Sequence, residues 1–223
     1  MGGVNAPGHV SRFSAKPEAA PIVFVVDDDI SVRESLDALI RDEGWRPQLF
    51  ESARDFLART PTSAPSCLIL DVNLPDLSGL DLQQRITDKS SAMPIIFLTG
   101  YGDVPTSVQA MKAGAAEFLT KPFKAGVLIE AIRGALRRSR TVLEQMLERS
   151  QLQNRFKSLS KRERQVMTLV VKGLMNREVA STLDISETTV KAHRGRVMQK
   201  MQAATLVDLV DMAAELGVRD CTP

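Results

Sequence analysis

The sequence predicts an α/β domain on a doubly wound, five-stranded parallel sheet, joined by a helical linker to a smaller all-α domain of four helices. Three patterns lead there. Between Ile22 and Arg138, short apolar runs alternate five times with stretches of helical period, as in βα units with a parallel sheet. Several of these runs end in acidic or polar residues, at the strand ends where open α/β sheets bind ligands. After Ser160, helical periods follow one another with no strand between them, which marks a separate helical unit.

The elements follow in order. Ile22-Val23-Phe24-Val25-Val26 is a buried strand, closed by Asp27-Asp28-Asp29. Val32, Leu36, Leu39 and Ile40 recur at helical spacing to about Glu43, where Gly44 stops the helix. Gln48-Leu49-Phe50 is a short strand, and Ser52 is a plausible cap for a helix over Ala53–Arg59. Cys67-Leu68-Ile69-Leu70-Asp71 is the central strand, followed by Val72-Asn73-Leu74-Pro75-Asp76-Leu77-Ser78-Gly79. Gly79 opens a helix to about Asp88. Pro94–Thr99 is a strand leading to the Gly100-Tyr101-Gly102 turn, and Val104–Ala113 is helical. Ala116–Leu119 is the fifth strand, left through Thr120-Lys121-Pro122-Phe123, and Ala125 opens a helix through Arg138.

Leu143, Met146, Leu147 and Leu152 continue a thinner helical pattern. Ser160 and Glu163 have the form of a capping box, and Val166, Leu169 and Val170 give the next helix its apolar face up to Gly173. Asn176 is expected to cap a helix over Arg177–Leu183, with Asp184-Ile185 as a tight turn. Ser186 is expected to cap Glu187–Met201, and Thr205 to start a last helix. The expected organisation is a loose tail over 1–20, the α/β domain over 21–138, a linker over 139–158 and the helical domain over 159–219.

Composition narrows the class. With 223 residues, 43% apolar and 25% charged, the chain is an ordinary globular protein of one large or two modest domains. Its two cysteines form no disulfide framework or zinc pattern. No apolar stretch approaches a membrane span and no signal peptide opens the chain, so a cytoplasmic protein without membrane contact is expected. The formal charge of +2 says little by itself. From Arg155 to Lys200, however, basic residues far outnumber acidic ones, which hints at nucleic acid at that end.

In a doubly wound sheet the first and third strands are neighbours at the switch point, which brings Asp27, Asp28 and Asp71 together. Asp71 by itself is no more than a common turn residue. Crowded carboxylates repel unless a cation lies among them, and Mg2+ fits best because it binds few carboxylates plus a phosphate. Thr99 adds a hydroxyl at the next strand end and Lys121 a positive charge at the fifth. A carboxylate nucleophile, a metal, a hydroxyl and an ammonium together make a phosphoryl-accepting site. Asp29 either joins this cluster or caps the helix from Ile30.

Residues 21–124 resemble a two-component receiver domain, flavodoxin-like in fold. The resemblance rests on Val25-Val26-Asp27-Asp28-Asp29, Asp71–Gly79, Thr99-Gly100, Met111-Lys112-Ala113-Gly114-Ala115 and Lys121-Pro122-Phe123. It implies that Asp71 takes phosphate from a sensor histidine kinase and that Asp27, Asp28, Asp71 and the Asn73 carbonyl hold Mg2+. It also implies that Thr99 and Lys121 bind the phosphoryl oxygens, that Thr99 and Phe118 switch on activation, and that Lys121-Pro122 is often cis.

Leu159–Val166, Lys172–Ala180 and Ile185–His193 resemble the LuxR-type helix-turn-helix of NarL/FixJ-class response regulators, and look like regulators of the FixJ, StyR and TodT kind. Val190, Val197 and Met201 then form the buried stripe of a recognition helix. That leaves Thr188, Lys191, Ala192 and Gly195 for a major groove, with Arg194 and Arg196 on phosphates. His193 is either packed or a phosphate donor. Leu206, Leu209, Val210 and Ala213 on the last helix either complete the core or pair two copies. The implied protein is a transcription regulator, not an enzyme. Phosphorylation makes it a homodimer on a two-fold site in double-stranded DNA, with RNA polymerase a further partner. Two alternatives stand beside this reading. One is a haloacid-dehalogenase-like phosphatase, with Asp27 as nucleophile and Asp29 as acid. The other is a regulator that binds DNA without needing phosphate.

Overall fold

The computed structural model describes residues 20–87, 93–100 and 104–218. Apart from Ala20, the expected tail lies outside these residues, as do Asp88 and the Tyr101-Gly102 turn. The chain divides into two compact units, Met1–Leu143 and Glu144–Pro223.

The first unit is built on strands β1 (Ile22–Val26), β2 (Arg46–Phe50), β3 (Ser66–Asp71), β4 (Ile95–Thr99) and β5 (Glu117–Thr120). Between and after them run α1 (Ile30–Asp42), α2 (Ala53–Ala58), α3 (Gly79–Thr87), α4 (Val104–Lys112) and α5 (Ala125–Lys157). Every strand pairing is parallel and the order is β2-β1-β3-β4-β5, the expected doubly wound sheet. β1, β3 and β4 are buried at every position. Alternate residues of these strands feed two cores. Phe24, Leu68, Leu70 and Phe97 pack with Phe56 of α2, Leu82 of α3 and Ala110 of α4. Val23, Val25, Ile69 and Ile96 pack with Leu36 of α1 and Leu128 of α5 on the other face. Cys67 lies fully buried in that second core, and burial pushes its thiol well up.

β2 begins earlier than the apolar pattern suggests, because it takes in Arg46 and Pro47. It is an edge strand with one neighbour, so Pro47, lacking an N–H, costs no ladder bond on the far side. Ser52 caps α2 as expected, accepting the Asp55 amide. Gly44 closes α1 at φ 76°, a left-handed conformation that glycine adopts without steric cost.

α5 does not stop at Arg138. The helix and the expected helical linker are one element of 33 residues, since neither glycine nor proline interrupts the chain from Ala135 to Lys157. The second unit contains the end of α5 and α6 (Lys161–Val171), α7 (Asn176–Leu183), α8 (Glu187–Met201) and α9 (Leu206–Glu215). Leu152 of α5 joins Val166, Val170, Val179, Val190, Val197 and Leu209 in its core. The Ser160–Glu163 capping box is present, and Glu163 also accepts from Lys200 Nζ at 2.7 Å. α7 departs from expectation. Met175, not Asn176, is its N-cap, and the Glu178 carboxylate accepts the Met175 amide at 2.7 Å. The Asn176 side chain instead accepts from Arg194 at 3.1 Å. Among the described residues no helix is long and apolar enough to cross a membrane.

Candidate functional site

Strand register assembles the acidic cluster. Val26 pairs with Leu70, so the next residues, Asp27 and Asp71, stand side by side at the carboxyl ends of β1 and β3. A carboxylate oxygen from each of Asp27, Asp28 and Asp71 lies within 4.8 Å of the others. Asp27 and Asp71 are buried and Asp28 is exposed. Thr99 pairs with Thr120, so Lys121 leaves β5 next to the end of β4, and its amide donates to the Thr99 carbonyl at 2.7 Å. The Lys121 ammonium donates to Asp27 Oδ2 at 2.6 Å and to Asp71 Oδ2 at 2.7 Å.

Backbone amides hold the other carboxylate oxygens. Asn73 N donates to Asp71 Oδ1 at 2.9 Å and Asp29 N to Asp27 Oδ1 at 3.0 Å. Burial pushes the Asp27 carboxyl up, and the Lys121 hydrogen bond only partly offsets this. Burial alone would lower Lys121, but its bonds to Asp27 and Asp71 outweigh that and hold it above its ordinary value. The carboxylates therefore share one counter-charge, and the donor set is hard oxygen throughout, as Mg2+ requires. Gly79 closes the loop from below. A Cβ there would lie 2.3 Å from the Asp71 carbonyl oxygen, so only glycine lets α3 start this close to the strand end.

On the second unit, α7 and α8 are joined through Asp184, Ile185 and Ser186, with Asp184 left-handed at φ 52°. This is the short angled connection of a helix-turn-helix. Val190, Val197 and Met201 of α8 are buried, while Thr188, Lys191, Ala192, Gly195 and Arg196 are exposed.

Residues 23–133 match the family described as "Response regulator receiver domain", and residues 157–213 match "Bacterial regulatory proteins, luxR family". Nodulation protein W of Bradyrhizobium diazoefficiens is 48% identical over 197 residues, covering 88% of this chain and 87% of that protein. The chain belongs to the two-component response regulators. Response regulator protein TmoT of Ectopseudomonas mendocina is 42% identical, covering 94% of this chain and 95% of its own. The solved structure of response regulator StyR superposes with a TM-score of 0.82 at 43% identity, covering 88% of this chain and 100% of that one. As a response regulator with a LuxR-type domain, the protein controls transcription.

Membership displaces the phosphatase alternative. The Asp29 carboxylate, which that chemistry needs as an acid, caps α1 by accepting from the amide and hydroxyl of Ser31. In the receiver, Thr99 is buried at its strand end, and Phe118 is partly buried against Phe97 with ring centroids 6.1 Å apart. Lys121-Pro122 is cis. In the LuxR-type domain, Arg194 is partly buried and tied to Asn176, so it is less free to reach DNA than sequence reasoning assumes. His193 Nδ1 is buried without a hydrogen-bond partner, which fits the packed alternative. Of the residues considered for pairing, Leu209 and Ala213 are fully buried in the domain's own core and Val210 packs partly against it. So small a domain needs them inside, and Leu206 and Val207 are the large exposed hydrophobic residues of α9.

Sequence reasoning missed two supports of the receiver site. Arg33 donates to the Asp27 carbonyl at 2.7 Å. Asp76 accepts the Arg54 amide at 3.0 Å and the Ala53 amide at 3.3 Å, tying the loop after β3 to the start of α2. Arg33 carries no sequence signal. The Pro-Asp pair at Pro75-Asp76 signals a turn but not its distant partner.

Proposed function

We propose that Asp71 is the phosphoacceptor of this response regulator and that a sensor histidine kinase supplies the phosphoryl group. A lone pair on one carboxylate oxygen of Asp71 attacks phosphorus, a P–O bond forms, and the P–N bond breaks with its electrons leaving on the donor imidazole. Asp27, Asp28, Asp71 and the Asn73 carbonyl would hold Mg2+, which supplies charge neutralisation for the phosphoryl oxygens. Lys121 turns from the Asp27–Asp71 pair to a phosphoryl oxygen, and the Thr99 hydroxyl takes another. Thr99 and Phe118 relay the change. The single observation that carries this reading is the cluster itself: three carboxylates with oxygens within 4.8 Å and one ammonium on two of them, in a chain that also has a LuxR-type domain.

The functional division follows the sequence: receiver over 21–138, linker over 139–158 and DNA-binding domain over 159–219, preceded by the tail over 1–20. The phosphorylated form is a homodimer in the cytoplasm that binds a two-fold site in double-stranded DNA and engages RNA polymerase. Thr188, Lys191, Ala192 and Gly195 face the groove and Arg196 the phosphates, while Arg194 reaches a phosphate with the N–H groups not given to Asn176. The receiver turns over no separate substrate.

The test is labelling with radioactive acetyl phosphate and Mg2+, followed by mass-spectrometric mapping and DNA titration. Label at Asp71, its loss in Asp71→Asn, and tighter DNA binding after labelling are expected. Label at another residue would overturn the phosphoacceptor assignment. DNA affinity unchanged by labelling would make this a phosphate-independent regulator.

A further inference from the structure

The receiver has a second concavity at the end of the sheet away from the acidic cluster. The end of α3, the start of β4, the α4–β5 turn and α5 enclose about 690 Å³, well within the range of small-molecule sites. Met93, Ile95 and Ala113 give it an apolar wall, and Gln83, Arg137 and Arg138 give it polar groups.

Gln83 is the unusual member. Its side chain is 1% exposed and Nε2 donates to the Ala110 carbonyl at 3.1 Å, yet Oε1 is buried with no hydrogen-bond partner. An unpaired buried acceptor is costly; Oε1 is sealed from solvent, so a donor in the cavity that Gln83 lines would relieve it once the amide turns toward that space. Arg137 and Arg138 are exposed and form no ion pair among the described residues. Gly134 opens the space between them and the sheet. A Cβ there would meet nothing nearer than Arg137 Nη2 at 4.0 Å, which also places that guanidinium along the cavity wall.

We propose that this cavity binds a small organic carboxylate with an apolar body and a hydroxyl at its far end. The guanidinium fork matches a carboxylate, the apolar wall takes the body, and the hydroxyl donates to Gln83 Oε1. A bare inorganic anion fits poorly, since Gln83 needs a donor and Met93, Ile95 and Ala113 need an apolar partner.

The test titrates the full chain with fluorescent hydroxynaphthoate, and with naphthoate and naphthol as the analogues lacking the hydroxyl and the carboxylate. One site per chain is expected. Affinity should fall by about tenfold for naphthol and in the double variant Arg137→Gln/Arg138→Gln. It should fall several-fold for naphthoate. Gly134→Leu has room for its Cβ, suits a helix better than glycine and adds three carbons at the cavity wall, so it should remove binding while the melting curve stays cooperative. Asp71→Asn should bind as the parent does, which separates this site from the phosphoacceptor. Absence of saturable binding overturns the proposal. So does equal affinity for naphthol, or binding that survives both Gly134→Leu and the arginine pair.

Discussion

Lys121 Nζ donates to Asp71 Oδ2 across 2.7 Å, so the side chain proposed as phosphoacceptor already holds a cation before any phosphate arrives. The same ammonium reaches Asp27, and the two carboxylates compete for one positive charge. Lys121→Met removes the competitor for a metal ion while preserving most of the side-chain volume. Mg2+ affinity, read by titration calorimetry, should rise by about tenfold. Labelling by acetyl phosphate should fall in the same variant. Weaker Mg2+ binding would mean that Lys121 organises the carboxylates rather than competing for them.

Gly79→Ala tests how closely the loop is packed. The new methyl would lie 2.3 Å from the Asp71 carbonyl oxygen and 3.0 Å from Val72 Cα, both backbone atoms that cannot turn aside. A loss of about 1–3 kcal/mol in receiver stability is expected from such overpacking. Thermal unfolding should show it, and Asp71 labelling should slow because the strand end is displaced. A variant with unchanged melting and labelling would show that the backbone gives way freely.

Gly195→Ala should move stability and binding in opposite directions. Gly195 is exposed in the interior of α8, and nothing lies within 4 Å of a Cβ built there. The fold therefore gives no reason for glycine, which costs a helix interior about 1 kcal/mol relative to alanine. Calorimetry of the variant should show a more stable DNA-binding domain, and DNA titration a weaker complex. Unchanged DNA affinity would remove Gly195 from the interface.

Acid should loosen the DNA-binding domain through Glu163. Its hydrogen bond from Lys200, with help from the Ser160 amide, holds its carboxyl below the ordinary glutamate value of 4.5. A depressed folded value means that the contribution is complete above the unfolded value and is lost as pH falls through the folded one. At neutral pH, Glu163→Gln keeps an oxygen for the Ser160 amide but loses the ion pair with Lys200, and should cost about 1 kcal/mol. Below pH 4.5 the two proteins should converge. Amide exchange at Val166 and Val170 across that range would check it, and a gap that persists in acid would assign the cost to packing.

The receiver is legible from sequence because its pattern is local. A short apolar run ending in Asp, as at Val26-Asp27 or Leu70-Asp71, declares a buried strand and its ligand-facing end together. The strand register then forces Asp27 and Asp71 side by side. Caps such as Ser52 and Ser160 are equally local. Long-range roles are not. Nothing near Asp76 says that it caps α2, and nothing near Gln83 says that its amide oxygen is left unpaired. Leu209 and Ala213 have the spacing of an apolar face, but periodicity does not say whether that face meets its own domain or another copy. The continuity of α5 is hidden for a different reason. Its apolar period fades past Arg138 even though the backbone meets no breaker.

The thiol buried near the start of β3 makes the sheet its own clock. Cys67 is sealed between the sheet and the α1–α5 layer, and burial keeps it in the unreactive protonated form. With Cys221 replaced by serine, an alkylating reagent reaches sulfur only when the sheet opens. The rate of mass gain then counts those openings in a chain that carries no dye or label.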